Sequence, residues 1–395
     1  MLIVYRRFYL SPPCLVCQSV VLKGSLLSST EAASLGTHHS SLFFPFALFH
    51  YLSPMKTSET WRTIYGYAAA LYKLRPWTYL LETDVFGIKS PVTDKKYFIS
   101  LMGYDGTLHA MAAYEETTAL GQFWDLQMNG SADSGEVLVI PHLIVSFGTE
   151  ADTDPEQLKK LRQMETDFGF TEEWPEVKRV IPGHYPEDPD EAQLNELVIV
   201  LEQVIDVCTR AVEDPGFIHP GNMEEDIYLM REQAKQKDRK VWAGKYRKIA
   251  IRPLAYKVTW KRSDIDAIRT LPASQAVMQA HIQMMPLPVK EEGKPGIFPF
   301  IVLLTNKKSG RVEGYFLAVP DPDYETMLGS IPLIFLDYIK ALGFRPRCIE
   351  VKSPLLHEML EKPMEQCDIR LLKASTLATV EEAIEHFLEA MQKNK

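Results

Sequence analysis

The sequence predicts an α+β N-terminal domain on a small antiparallel sheet, then an α/β C-terminal domain on a mixed sheet. Three observations predict it. The turn Gly103-Tyr104-Asp105-Gly106 separates two short apolar strands, and amphipathic helices flank them. After residue 276, three strand-like runs are followed by helix, strand, helix, strand and helix. The chain has 395 residues, 46% of them apolar, enough to bury two sizeable cores.

Composition narrows the function classes. A net charge of −9 provides no general field for nucleic acid or an anionic membrane. A charged fraction of 24% with 17 Tyr and 18 Phe indicates packed structure rather than disorder. No apolar run reaches the roughly 18 residues of a membrane span, so a cytoplasmic chain with no membrane partner is expected. Cys208, Cys348 and Cys367 fall on apolar faces or beside strands, as buried free thiols do in a reducing compartment. Cys14 and Cys17 form a lone C-x-x-C with no second ligand pair, too little for a zinc site. Neither a metal nor a cofactor is expected.

Residues 1–54 differ from the rest. Arg6, Arg7 and Lys23 face a single acid, Glu31, and the segment is Ser-rich without clear periodicity. An organelle transit peptide is one reading. A secretory signal is another, although Arg6 interrupts its apolar run. The favoured reading is a start at Met55, with 1–54 a mis-assigned start or an unstructured leader.

In the first domain, 55–216, Trp61, Ile64, Tyr65, Ala68, Leu71 and Tyr72 recur at helical spacing, and Pro76 stops the helix after Leu74. Strands are expected at Tyr97–Met102 and Thr107–Tyr114, then a helix at Thr117–Met128 and a strand at Val137–Phe147. Asp154-Pro155 caps a short helix. Val177–Ile181 reads as a strand, and Asp188-Pro189-Asp190 starts a long helix with the stripe Leu194, Leu197, Val198, Leu201, Val204, Ile205 and Cys208. The expected architecture has helices against one face of the sheet. Trp77…Asp84-x-Phe86-Gly87, Leu101-Met102-Gly103, Pro182-Gly183-x-x-Pro186, and later Ser309-Gly310 and Gly343-Phe344-Arg345-Pro346 resemble a bacterial family of two-domain proteins of unknown function. That resemblance covers nearly everything after Met55 and implies no reaction, substrate or cofactor.

The middle, 217–275, is expected as a basic and aromatic helical connection. Arg239, Lys240, Lys245 and Arg247 lie among Trp242, Tyr246, Tyr256 and Trp260. Charges for phosphates and ring faces for bases make 231–262 a candidate single-strand nucleic-acid surface. The competing reading is a solvated connection whose aromatics pack inward.

In the second domain, 276–395, strands are expected at Val277–Met285, Pro299–Thr305 and Arg311–Val319, and a helix at Tyr324–Leu342. Pro332 suggests a kink or a later helix start, and Gly343 suits the helix end. A strand at Arg347–Lys352, a helix at Pro354–Met364, a strand at Asp368–Lys373 and a helix from Thr379 complete the order. It resembles the ribonuclease H-like fold, which implies carboxylates at the ends of the first and fourth strands holding two metal ions. Here those stretches read His281-Ile282-Gln283 and Val351-Lys352-Ser353, with Glu381, Glu382 and Glu385 on the last helix. The resemblance therefore implies a non-catalytic scaffold.

Nucleotide-loop, nucleophile-elbow and zinc-helix motifs are absent from the sequence. The remaining candidates are few. Glu82, Asp84, Asp105 and His109 near Trp77 could perform acid/base chemistry or bind a cation. Lys352 and Ser353, at a strand end and helix start, could take an anion, although capping alone explains Ser353-Pro354. The leading expectation is a binding or scaffold protein with a degenerate ribonuclease H-like domain. The alternatives are a hydrolase-type enzyme with its site in the first domain or between domains, and single-strand nucleic-acid binding. A protein partner or a small anionic ligand stays open. Nucleic acid is open but not favoured.

Overall fold

The computed structural model describes residues 57–106, 108–129, 136–164, 166–214, 216–219, 226–236, 239–290 and 295–393. The leader, 1–54, and the Cys14/Cys17 pair lie outside them. The first sheet contains, in chain order, β1 (Phe86–Lys89), β2 (Lys96–Met102), β3 (His109–Glu115), β4 (His142–Gly148), β5 (Trp174–Val180), β6 (Ile227–Gln236) and β7 (Arg239–Lys248). In space the order is β5-β4-β3-β2-β1-β6-β7. Neighbours are antiparallel except β1 and β6, which run parallel with Gly87 opposite Met230.

This sheet corrects the expected small antiparallel one in size, in its parallel pair and in its cover. Helices α1 (Thr57–Leu74), α3 (Pro155–Gln163) and α4 (Glu191–Glu213) accompany one face, and α2 (Glu116–Asn129) covers the other. On the first face Ile64, Tyr65, Leu197 and Leu201 join Ile99, Met111 and Val145 in one core. On the second, Leu120 and Phe123 meet Phe98, Ala112 and Ile144. The cause lies in the strands: β2, β3 and β4 are almost continuously apolar, and such strands need cover on both sides. Local signals fix the helix starts. The Asp154 side chain accepts from Glu156 N, and Asp190 forms a capping box with Gln193. The strand expected at Val137–Phe147 begins later, because Glu136–Val139 is a 3-10 turn.

The expected helical connection is also corrected. Residues Ile227–Gln236 and Arg239–Lys248 form the β6–β7 hairpin, which extends the first sheet to its edge. Alternation explains this: Leu229 and Arg231 turn toward α4, while Tyr228 and Met230 turn toward the α2 face. Downstream, residues 249–260 form neither helix nor strand, and Thr259 N donates to Gly329 O at 2.9 Å.

The second sheet closely follows the sequence. Its elements are α5 (Arg262–Arg269), β8 (Val277–Met284), β9 (Phe300–Asn306), β10 (Val312–Ala318), α6 (Tyr324–Leu342), β11 (Cys348–Val351), α7 (Pro354–Gln366), β12 (Arg370–Lys373) and α8 (Ala378–Lys393). The order is β10-β9-β8-β11-β12, antiparallel through β8, β9 and β10 and parallel through β8, β11 and β12. Helix α6 is continuous across Pro332, so it does not start later, and it ends at Gly343, whose φ of 71° is the left-handed conformation glycine adopts cheaply. Apolar residues of β8, β9 and β11 pack with α5, α6 and α7 in one core, while Ile301 and Leu303 meet Leu377, Val380 and Ile384 of the α8 region on the other face. Cys208, Cys348 and Cys367 are buried free thiols. Among the described residues, no helix is long and apolar enough to cross a membrane.

Candidate functional site

Two polar constellations emerge. The first lies on the first sheet around Trp77 and His109. Trp77 belongs to the 3-10 turn Pro76–Thr78 and is almost wholly buried. The His109 ring stacks on it with centroids 4.6 Å apart and planes 15° apart. His109 Nδ1 lies 2.8 Å from Glu173 Oε2, so the carboxylate accepts from Nδ1 and fixes the ring's orientation. Burial and Glu173 together raise the nearby Tyr72 phenol. Trp77 Nε1 is buried with no hydrogen-bond partner among the described residues.

The structure brings Trp77 and His109 together but directs the acids elsewhere. Asp84 Oδ2 accepts from Leu81 N at 2.8 Å, and its Oδ1 lies 4.0 Å from His219 Nε2. Asp105 lies on the exposed β2–β3 turn, where it adds to the rise that burial imposes on Glu82. Glu173, the carboxylate that does reach His109, is 64 residues away in sequence. No local pattern signals that partnership.

The second constellation occupies the polar face of the second sheet, beneath α8. Gln279, His281 and Gln283 alternate along β8, and Glu350 of β11 stands opposite Gln279. Gln279 Nε2 donates to Glu350 Oε2 at 3.0 Å, and Lys307 Nζ lies 2.7 Å from Glu350 Oε1. The Thr379 hydroxyl donates to Gln279 Oε1 at 2.7 Å and meets the Thr305 hydroxyl at 2.7 Å. Glu350 was overlooked in the sequence because it precedes the expected strand end. Its ammonium and amide partners hold it below the usual carboxylate range, although burial alone would raise it.

Next along β8, His281 is held below the usual imidazole value, first by burial and then by the charge of Lys352, while Gln283 and Glu381 oppose the shift. Its Nδ1 is buried without a hydrogen-bond partner among the described residues. Lys352 is exposed, and the Ser353 hydroxyl accepts from Leu356 N at 3.3 Å as the N-cap of α7. Among the described residues, no group of three or more His, Cys, Asp or Glu side chains could hold a metal ion.

The basic and aromatic stretch is divided between two faces and two cores. Trp242 packs against the first core, whereas Tyr256 and Trp260 pack against the second. Tyr246 donates to Phe217 O at 2.7 Å. Arg239, Lys240, Lys245 and Arg247 are exposed on the edge strand β7, with Arg247 bound to Glu232 at 2.9 Å. Lys245 and Arg247 project from the face opposite Trp242 and Tyr246.

A search of curated proteins gave no match. Among solved structures, one similar chain is the HTLV-2 integrase catalytic core domain in complex with magnesium (trimeric form). The identity is 17% over 32% of this chain and 73% of that one, with a TM-score of 0.22, too low to carry an argument. Two family models match the sequence. Residues 61–231 match a model described as Domain of unknown function (DUF7309), and residues 264–388 match one described as Domain of unknown function (DUF6930), which contains the whole second sheet.

Proposed function

We propose that this chain is a non-catalytic binding or scaffold protein whose second domain is a degenerate ribonuclease H-like unit. The strand order β10-β9-β8-β11-β12, with β9 running antiparallel to the other four strands, supports the fold reading. One observation carries the functional reading. On the polar face, His281 stands near both Lys352 and Glu381, and Glu350 is already bound by Lys307 and Gln279. Two divalent cations need several uncompensated oxygen ligands, and an ammonium beside them raises the cost further. In this reading the face contributes order to the fold rather than chemistry. The first domain runs through Lys248, and the second begins near Arg262. The test incubates the pure full chain with single- and double-stranded DNA and RNA plus magnesium or manganese. No cleavage is expected. Metal-dependent cleavage that disappears in Glu381→Gln would overturn the proposal.

A second reading places acid/base chemistry in the first domain. The His109–Glu173 pair favours it, since a carboxylate on Nδ1 orients an imidazole to work through Nε2. It predicts that a small molecule co-purifying with the natural chain is absent from His109→Ala. Equal recovery from both would remove it.

A further inference from the structure

We propose that β10 is a homodimerisation edge, pairing antiparallel with β10 of a second copy to join two five-stranded sheets. Among the described residues β10 has one neighbour, β9, so its outer row of backbone N–H and C=O groups is open. Open edges of this kind pair readily unless charge, proline or covering structure blocks them. Its one charge, Glu313, sits at the start of the strand and is paired with Arg311 at 3.0 Å, and from Gly314 to Ala318 the strand has neither charge nor proline. Its side chains are apolar and unusually exposed: Tyr315 is 65% accessible, and Phe316, Leu317 and Val319 are each above 40%. Alternation places Tyr315 and Leu317 on the α8 side and Phe316 on the α6 side, so both faces of the edge are apolar. A bulge between Val312 and Gly314 disturbs only the start of the strand.

Charge identifies the occupant as a second copy. The turn entering β10 is basic and exposed, with Lys308 and Arg311, and the turn leaving it is acidic and exposed, with Asp321 and Asp323. Two-fold antiparallel pairing about Phe316 places the Arg311 end of each strand beside the Asp321 end of the other. Parallel pairing would set like charges together. Such self-complementarity is what a two-fold interface requires. Paired seven-residue strands with four apolar side chains apiece form a modest interface, so the dimer should depend on concentration.

Sedimentation velocity on the full chain between roughly 1 and 100 µM tests this. A shift from monomer to dimer is expected, with Leu317→Lys weakening association at least about tenfold while leaving the circular dichroism unchanged. Hydrogen exchange on the natural chain is the companion measurement, with β10 amides slowing as concentration rises. A monomer throughout, or a dimer indifferent to Leu317→Lys with unprotected β10 amides, would overturn the proposal. So would β10 protection independent of concentration, which would mean that another segment of the same chain covers the edge.

Discussion

The His109 imidazole lies flat on the Trp77 indole, 4.6 Å between ring centroids, and Glu173 holds the same imidazole from its edge. Trp77 anchors this arrangement through packing, since its Nε1 has no hydrogen-bond partner among the described residues. Trp77→Ala should therefore cost about 3–5 kcal/mol in urea unfolding, the range for a buried aromatic. Trp77→Phe should cost much less, because it removes volume but breaks no hydrogen bond. Equal losses in the two variants would mean that Nε1 has a partner.

Glu176 introduces a pH dependence. Burial pushes its carboxyl up to about 7, with Lys178 opposing and Asp154 and Asp188 adding to the rise. Between about pH 4.5 and 7 the folded chain thus binds more protons than the unfolded one, and this group's contribution to stability falls as pH rises through that window. Glu176→Gln should stabilise the protein at pH 8 by a few kcal/mol, on the order of the shift, and should do little at pH 4. Unfolding curves at the two pH values check it, and an equal effect at both would contradict it.

Lys178 makes the opposite contribution. Its ammonium lies 3.0 Å from Asp188, also meets Asp154, and is 3.9 Å from Glu176. Lys178→Met leaves three partly or fully buried carboxylates without their shared cation and should cost about 3–5 kcal/mol near neutral pH. The loss should shrink only in stronger acid, as pH falls through the lowered values of Asp154 and Asp188. Stability measured at pH 7 and about pH 2.5 separates this from a simple packing defect, which would be independent of pH.

Gly329 marks where the irregular segment after β7 crosses α6. A Cβ there would lie 2.3 Å from Lys257 O, a backbone atom with little room to shift. Gly329→Ala should cost about 1–3 kcal/mol or more. Gly66, on the exposed side of α1 with open space around it, is the control: Gly66→Ala should stabilise by about 0.5–1 kcal/mol. Thermal unfolding of both variants tests the pair, and a harmless Gly329→Ala would mean that the segment can move away.

Local signals made much of this fold legible. Asp154, Asp190 and Asp323 cap the helices their positions suggest, and the strands and helices after residue 276 fall within about two residues of where their apolar runs place them. Long-range pairings were hidden. The parallel contact of β1 with β6 joins Gly87 to Met230, and nothing in either short segment encodes it. The β6–β7 hairpin was obscured because its outer residues are charged, which masks the alternation of Leu229, Trp242 and Tyr246. The partners of the candidate residues were hidden for the same reason. His109 with Glu173, and His281 with Lys352 and Glu381, become neighbours only once the sheets assemble.

Manganese titration followed by electron paramagnetic resonance tests the central claim most directly. If the second domain is the proposed degenerate ribonuclease H-like unit, with His281 and Lys352 in place of two acids, the natural full chain should show no saturable site below about millimolar manganese. His281→Asp combined with Lys352→Asp should gain a site that depends on Glu381. Micromolar binding by the natural chain, lost in Glu381→Gln, would contradict the account.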